Sequence, residues 1–554
     1  MQQDRVQDSV SPVPSDIAAR ALRSLVLLAL ALPWLNPTAG GPSAMVQPWI
    51  VAATATVLAW HLVAPAVTRP QLGVAVLAAA LLAAAGHAAP PTLLAIGGLL
   101  VIALCAAVAA SPATRDWVVQ AIPDAWLAAA LVSSLIALVQ YFGWSPQFAP
   151  WANSTEAGEA FANLRQRNLF ATLTSIGLAA LLWRVQQGAK LSWTLPAAVL
   201  LAVANAASAS RTGAFQVAML VAMTLWWTRS ARRGAGAVGL AAVLAYGLAA
   251  IALPLLLEQI TGVTAVSAFH RLVSADGCSS RVILWSNVLH LIAQKPWLGW
   301  GWGELDYAHF ATLYPGARFC DILDNAHNLP LHIAVELGVP VALAGCAALG
   351  WWLLRLRPWS EPTPQRQLAW SVIAVILLHS LLEYPLWYGP FQMAFGLSLG
   401  LLVRHRDGAG PREVGAFGRG AVSAVLTLAL VYTAWDYHRV SQLYVAPEQR
   451  SALHRGRPLP QIGDSWLFRD QLAFAELSLT PLTRENAPAV HALAMDLLHY
   501  SPEPRVIETA LESAMYAGRE DRALWLLERF RAAFPADAAR AAAAPPASDA
   551  RLRH

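Results

Sequence analysis

The sequence predicts an all-α, polytopic membrane protein, and three observations carry that prediction. Hydrophobic residues make up 57% of the 554 residues and charged residues 13%, where a soluble domain carries about 25% charge. Mean hydropathy is +0.47. Apolar runs long enough to cross a bilayer recur along the chain, and in lipid a continuous apolar run hides its backbone polar groups only as a helix. The same composition excludes disorder, which needs low hydrophobicity and high net charge. A net charge of +5 fits cytoplasmic loop charge rather than nucleic-acid binding.

Taken in order, residues 1–20 form a cytoplasmic tail, and the run from Ala21 to Trp34 lacks a small-residue cleavage site, so it is read as an uncleaved first helix. Further spans are expected over 45–66, 71–88, 91–110, 122–142, 167–185, 191–209, 213–228, 236–257, 326–354, 367–387, 389–403 and 417–434. Several are short, so twelve or thirteen spans are both consistent with the pattern. Charge asymmetry orients them. The loops placed in the cytoplasm hold seventeen Lys and Arg residues, among them Arg69, Arg115, Arg184, Lys190, Arg232, Arg355 and Arg404. The outward side before the last span holds seven: Arg165, Arg167, Arg211, Arg271, Arg281, Lys295 and Arg318. That is a positive-inside bias.

Domain organisation follows. Residues 21–435 form the membrane unit, and within it an outward loop of about 259–325 is long enough to be functional. Cys278 and Cys320 both lie in that loop and outside the cytoplasm can pair as a disulfide; two free thiols is the alternative. From 436 to 538 charge returns. Ala510, Ala514, Gly518, Ala523, Leu527, Phe530 and Pro535 have the spacing of one helix–turn–helix repeat of tetratricopeptide type. The Ala/Pro-rich 539–554 segment reads as a disordered tail.

The informative residues are charges where hydrophobicity and orientation disfavour them. Arg165, Gln166 and Asn168 lie in Asn163-Leu-Arg-Gln-Arg-Asn168, Arg211 in Ser210-Arg-Thr-Gly213 and Arg281 in Arg281-Val-Ile-Leu-Trp285. All three stretches are outward. Arginine forks match phosphate oxygens bidentately, so arginines converging from separate segments point to a phosphate or pyrophosphate ligand; the alternative is that each snorkels to lipid headgroups. His327, flanked by Asn325 and Asn328 in Asp324-Asn-Ala-His-Asn328, is a candidate general base near neutral pH. Glu383, at the outer end of a span in Leu382-Glu-Tyr-Pro-Leu-Trp387, can orient an arginine or histidine or simply cap the segment. Neither an HExxH, a Cys/His cluster nor an Asp-x-Asp is present, so no metal and no cofactor is implied.

These stretches, with Pro296-Trp-Leu-Gly-Trp-Gly-Trp-Gly303, occur in an order that resembles the O-antigen ligase/polymerase superfamily, and within it the PglL-type protein O-oligosaccharyltransferases, over roughly residues 20–435. Where that family has Gly-Gln-x-Asn-His, this chain has Arg165 for the glycine and Leu169 for the histidine. The resemblance implies a metal-independent glycosyltransferase of the bacterial inner membrane with its active site facing the periplasm. The donor would be a glycan on undecaprenyl pyrophosphate, and the acceptor a Ser or Thr hydroxyl of an exported protein such as pilin. Arg165, Arg211 and Arg281 would hold the pyrophosphate, with Gln166, Asn168, Asn325, Asn328 and Glu383 near the substrates, and His327 would handle the acceptor hydroxyl. Ligation to lipid A core and glycan polymerisation share that chemistry. A transporter would instead place charges at the midplane in inverted repeats.

Overall fold

The computed structural model describes residues 16–543 apart from 64, 68–75, 78, 81–82, 85–88, 111–115, 228–232, 265–276, 404–411 and 456–462. The described residues are mostly helical. The membrane unit contains α1 (Asp16–Leu35), α2 (Val46–Leu62), α3 (Ala89–Ala110), α4 (Asp116–Tyr141), α5 (Arg167–Gln186), α6 (Leu191–Ala207), α7 (Arg211–Trp227) and α8 (Arg233–Thr261). After the connecting segment with α9 (Arg281–Gln294) and α10 (Leu305–Ala311) come α11 (Leu329–Leu337), α12 (Val339–Leu356), α13 (Pro364–Ser380), α14 (Gly389–Val403) and α15 (Ala416–Ser441). One two-residue antiparallel pairing, β1 (Ala66–Val67) with β2 (Arg412–Glu413), is the sheet structure among the described residues.

Among the described residues, six helical segments are long and apolar enough to cross a bilayer: Thr92–Ala110, Trp117–Tyr141, Arg167–Gln186, Gly234–Thr261, Val339–Ser360 and Ala416–Tyr444. Val46–Leu62, Leu191–Ala207 and Gly389–Val403 are apolar but shorter. A 17-residue helix rises about 26 Å, just under a hydrocarbon core of about 30 Å. The run expected at 71–88 lies largely outside the described residues. The run expected at 326–354 is not one helix. It breaks at Gly338, whose φ of +91° ends α11 before Pro340 restarts the chain as α12.

Small residues let the helices approach closely, as membrane packing favours. A Cβ on Gly396 or Gly400 of α14 would run into the carbonyls of Ile102 and Ala106 on α3. One end of the bundle is tied by Asp124, which accepts from Arg184 Nε at 2.8 Å and from Arg23 at 3.4 Å. Arg184 closes α5, so the opposite end holds the start of α5, the start of α7 and the end of α13. The motifs gather there.

After Trp435, α15 continues to Ser441, past the residue 436 at which charge returns. The C-terminal unit comprises α16 (Arg469–Leu479), α17 (Ala487–Leu497), α18 (Pro504–Tyr516), α19 (Glu520–Ala533) and α20 (Pro535–Ala543). Residues 539–543, expected to start a disordered tail, complete α20, a helix that buries its Ala538. Phe310 of α10 enters the core of this helical unit beside Phe474, Leu526 and Phe530. Arg529 Nε donates to Ala311 O at 2.8 Å, and His499 Nδ1 lies 2.6 Å from Glu304. The α9–α10 segment therefore packs against the C-terminal helices through α10.

Candidate functional site

The site is built around Glu383. Helix α13 ends at Ser380, which puts Glu383 in the bend beyond the helix; its amide donates to His379 O at 2.8 Å, and the residue is 9% exposed. Its two oxygens serve different partners. Oε1 accepts from Arg281 Nη2 and, at 3.4 Å, from Asn168 Nδ2. Oε2 lies 2.6 Å from His327 Nδ1. Burial alone would push this carboxyl up, but the hydrogen bond from His327 and the Arg281 guanidinium outweigh it and hold Glu383 below its ordinary 4.5.

Each partner is placed by local chemistry. Arg281 is the first residue of α9, behind Ser280, whose Oγ caps Ile283 N at 3.4 Å. Its side chain is 34% exposed, so a fork edge faces solvent while Nη2 is held. His327 sits in left-handed backbone, φ +50°, a conformation uncommon for a non-glycine residue. Buried Asn325 enforces it by accepting from His327 N at 2.9 Å. Asn328 caps α11 at Leu331 N (3.1 Å) and donates Nδ2 to Leu381 O (3.0 Å), which fastens the start of α11 to the bend holding Glu383. Tyr384 stands edge-on to His327 with centroids 5.1 Å apart. Next to the pair, burial raises the carboxyl of Asp324.

Asn168 opens the first turn of α5. Its Oδ1 accepts from Ser210 Oγ at 2.6 Å, and Ser210 Oγ in turn caps Gly213 N at 3.0 Å. That bond places the start of α7, and with it exposed Arg211, beside the start of α5. Gln166 is the N-cap of α5, accepting from Leu169 N at 2.7 Å. Arg165 departs from the expected convergence. Its left-handed φ of +59° turns the guanidinium to Pro37 O and, at 3.4 Å, Asn153 Oδ1 rather than to Glu383, so it braces the link between α1 and α2. Arg167 pairs with Glu159.

Several contributors escaped the sequence reading. Thr172 Oγ1 donates to Asn168 O at 2.8 Å and meets His379 Nδ1 at 2.8 Å, with Gln216 Nε2 at 2.9 Å. The available signal was polar residues inside apolar runs, one turn from Asn168 and one turn before Glu383. Among the described residues, no group of three His, Cys, Asp or Glu side chains is placed to hold a metal.

Cys278 and Cys320 are joined by a disulfide with Cα atoms 5.5 Å apart. It ties the residues just before Arg281 to the segment that leads to His327. Closing a loop of 42 residues is worth about 4 kcal/mol in the chain-entropy picture. In denatured, unreduced protein, thiol reagents should therefore label Cys105 and Cys346 alone, with Cys278 and Cys320 reacting only after reduction; four labelled cysteines without reductant would refute the bond.

Three family models match in succession. Protein glycosylation ligase matches residues 160–185, across Asn168; O-antigen ligase matches 196–346, across Arg211, Arg281 and His327. Over these stretches the chain is similar to O-antigen ligases and protein glycosylation ligases. The C-terminal part of the virulence factor membrane-bound polymerases matches 367–548, which takes in Glu383 and the C-terminal helices. A general O-oligosaccharyltransferase of Acinetobacter baylyi is 25% identical over 333 residues, 58% of this chain and 57% of the relative. A ComP-specific O-oligosaccharyltransferase of the same organism is 25% identical over 293 residues, 52% of each chain. The chain thus spans little more than half the length of these curated relatives.

Proposed function

We propose that the protein is an oligosaccharyltransferase that moves a preassembled glycan from undecaprenyl pyrophosphate to a Ser or Thr hydroxyl of an exported protein such as pilin, at the periplasmic face of the inner membrane. The observation that carries this reading is one carboxylate, Glu383, bridging Arg281 and His327. The names of the relatives support the transfer to protein.

With Nδ1–H donated to Glu383, His327 keeps its Nε2 lone pair for the acceptor hydroxyl, the arrangement by which an oriented imidazole acts as general base. The hydroxyl oxygen attacks the anomeric carbon as its proton passes to Nε2. The bond from that carbon to the pyrophosphate oxygen breaks, and the pyrophosphate leaves with the electron pair. Arg281, held by Glu383, and Arg211, at the start of α7, supply the charge and fork geometry that leaving group needs. A single displacement of this kind inverts the anomeric carbon and needs no metal.

The test is transfer by the purified chain in nanodiscs from an undecaprenyl-pyrophosphate glycan to a pilin-type acceptor, with and without chelator. Transfer that survives chelator supports the reading. Product only with lipid A core would replace it by lipid ligation, and loss on chelation would overturn the metal-free mechanism. In cells, a periplasm-active reporter fused at residue 300 should be active; activity only from a cytoplasmic reporter would reverse the orientation.

A further inference from the structure

The Trp-Gly-Trp-Gly run at 300–303 takes no part in the arrangement around Glu383, yet the fold fixes its second indole from both sides. Gly301 and Gly303 lie in left-handed backbone, φ 116° and 82°. Both amides go to one residue: Gly301 N to Glu336 O and Gly303 N to Glu336 Oε2, each at 3.0 Å. Trp300 N adds a bond to Val335 O at 2.9 Å, and Val339 N one to Pro296 O at 2.8 Å. Trp302 is therefore a preorganised side chain on a pinned turn. Its ring lies nearly parallel to that of Trp387, with 16° between planes and centroids 6.1 Å apart. His332, 3% exposed, backs both rings edge-on at 5.7 and 5.1 Å. Both indoles keep part of their surface exposed. The surface leads to the reacting groups through Tyr384, whose ring is 6.4 Å from Trp387 and 5.1 Å from His327.

We propose that Trp302 and Trp387 form a stacking platform for a pyranose ring of the donor glycan, an inference that rests on the transferase reading above. A pyranose carries an apolar C–H face with polar edges. An aromatic face, with its negative π-cloud, attracts such C–H groups and excludes water from them. The two indoles come from separate segments, one pinned by Glu336 and one by the turn between α13 and α14, so the platform exists before any ligand arrives and loses little entropy on binding. It also connects through Tyr384 to His327 rather than to Arg281, which leaves the Arg281 side of Glu383 to the pyrophosphate in the transferase reading.

Equilibrium binding to the full chain in nanodiscs tests the platform, because it reads out whether or not transfer occurs. The probes are undecaprenyl pyrophosphate carrying an N-acetylhexosamine disaccharide and bare undecaprenyl pyrophosphate. Trp302→Ala and Trp387→Ala should each weaken the sugar-bearing lipid by about fivefold to tenfold, the scale of one aromatic stacking contact, and leave the bare lipid unchanged. Trp302→Phe, which keeps a ring face, should retain most of the affinity. Equal losses for the two lipids would reassign the rings to the membrane-interface belt and overturn the platform, as would unchanged affinity for the sugar-bearing lipid. Should Trp302→Ala fail to fold, Trp387→Ala decides on the same outcomes. Wild-type protein that binds neither lipid would instead overturn the transferase reading itself.

Discussion

Glu383→Gln should lower transfer by about 10²–10⁴-fold, the range seen when the group that orients a catalytic histidine or the base itself is lost. The amide has the shape of the carboxylate but one acceptor oxygen where the site uses two. If that oxygen faces His327 Nδ1, the amide NH₂ is aimed at Arg281; if it faces Arg281, the NH₂ favours the imidazole tautomer with Nε2 protonated. Either way one of the two functions fails. Glu383→Asp keeps the charge but shortens the reach, so it should recover part of the activity. The charge persists across the working range, since Glu383 is held below its ordinary value. The sign follows: a depressed carboxyl contributes stability at pH above its unfolded value of 4.5 and loses it only as pH falls through the lowered native value. The pH profile between about 5 and 8 should therefore show no limb from this group. Initial rates at saturating and limiting donor check the prediction. A Gln variant within threefold of wild type, an arbitrarily small loss beside the expected range, would remove Glu383 from the mechanism.

What could be read from the sequence was the set of residues out of place in an apolar chain; what could not was how they meet. His327, Arg281, Asn168 and Glu383 each stood out as polar or charged at an expected span end or in the long loop, but their contacts span 56, 102 and 215 positions. No local pattern fixes pairings at that range, so the sequence left Glu383 between a cap and an orienting acid. Arg165 looked like the other outward arginines, and only its left-handed φ turns it away to Pro37. The break at Gly338 was written locally, as Gly-Val-Pro within an apolar run, but the uninterrupted hydrophobicity masked it. Thr172 and His379 were hidden for the opposite reason. A lone buried polar residue inside a span carries meaning only once its partner, on another helix, is known.

His327→Ala and Arg281→Ala should fail in different ways, and the difference tests the division of labour around Glu383. Without the imidazole, the acceptor hydroxyl keeps its proton, so turnover should fall by about 10²–10⁴-fold while donor affinity is nearly kept. Arg281→Ala removes a fork to phosphate and should raise the donor concentration needed for half-maximal rate as well as lowering turnover, since leaving-group charge grows toward the transition state. Arg281→Lys should rescue only in part, because an ammonium cannot both reach Glu383 Oε1 and present a planar pair of donors to a phosphate. The two changes are also coupled: both partners share one carboxylate, so the double variant should lose less than the product of the single losses, as residues that act as a unit do. Donor binding measured beside transfer separates the cases. Near-normal transfer by His327→Ala would end its role as base, and loss of donor binding in that variant would move His327 to the pyrophosphate side of Glu383.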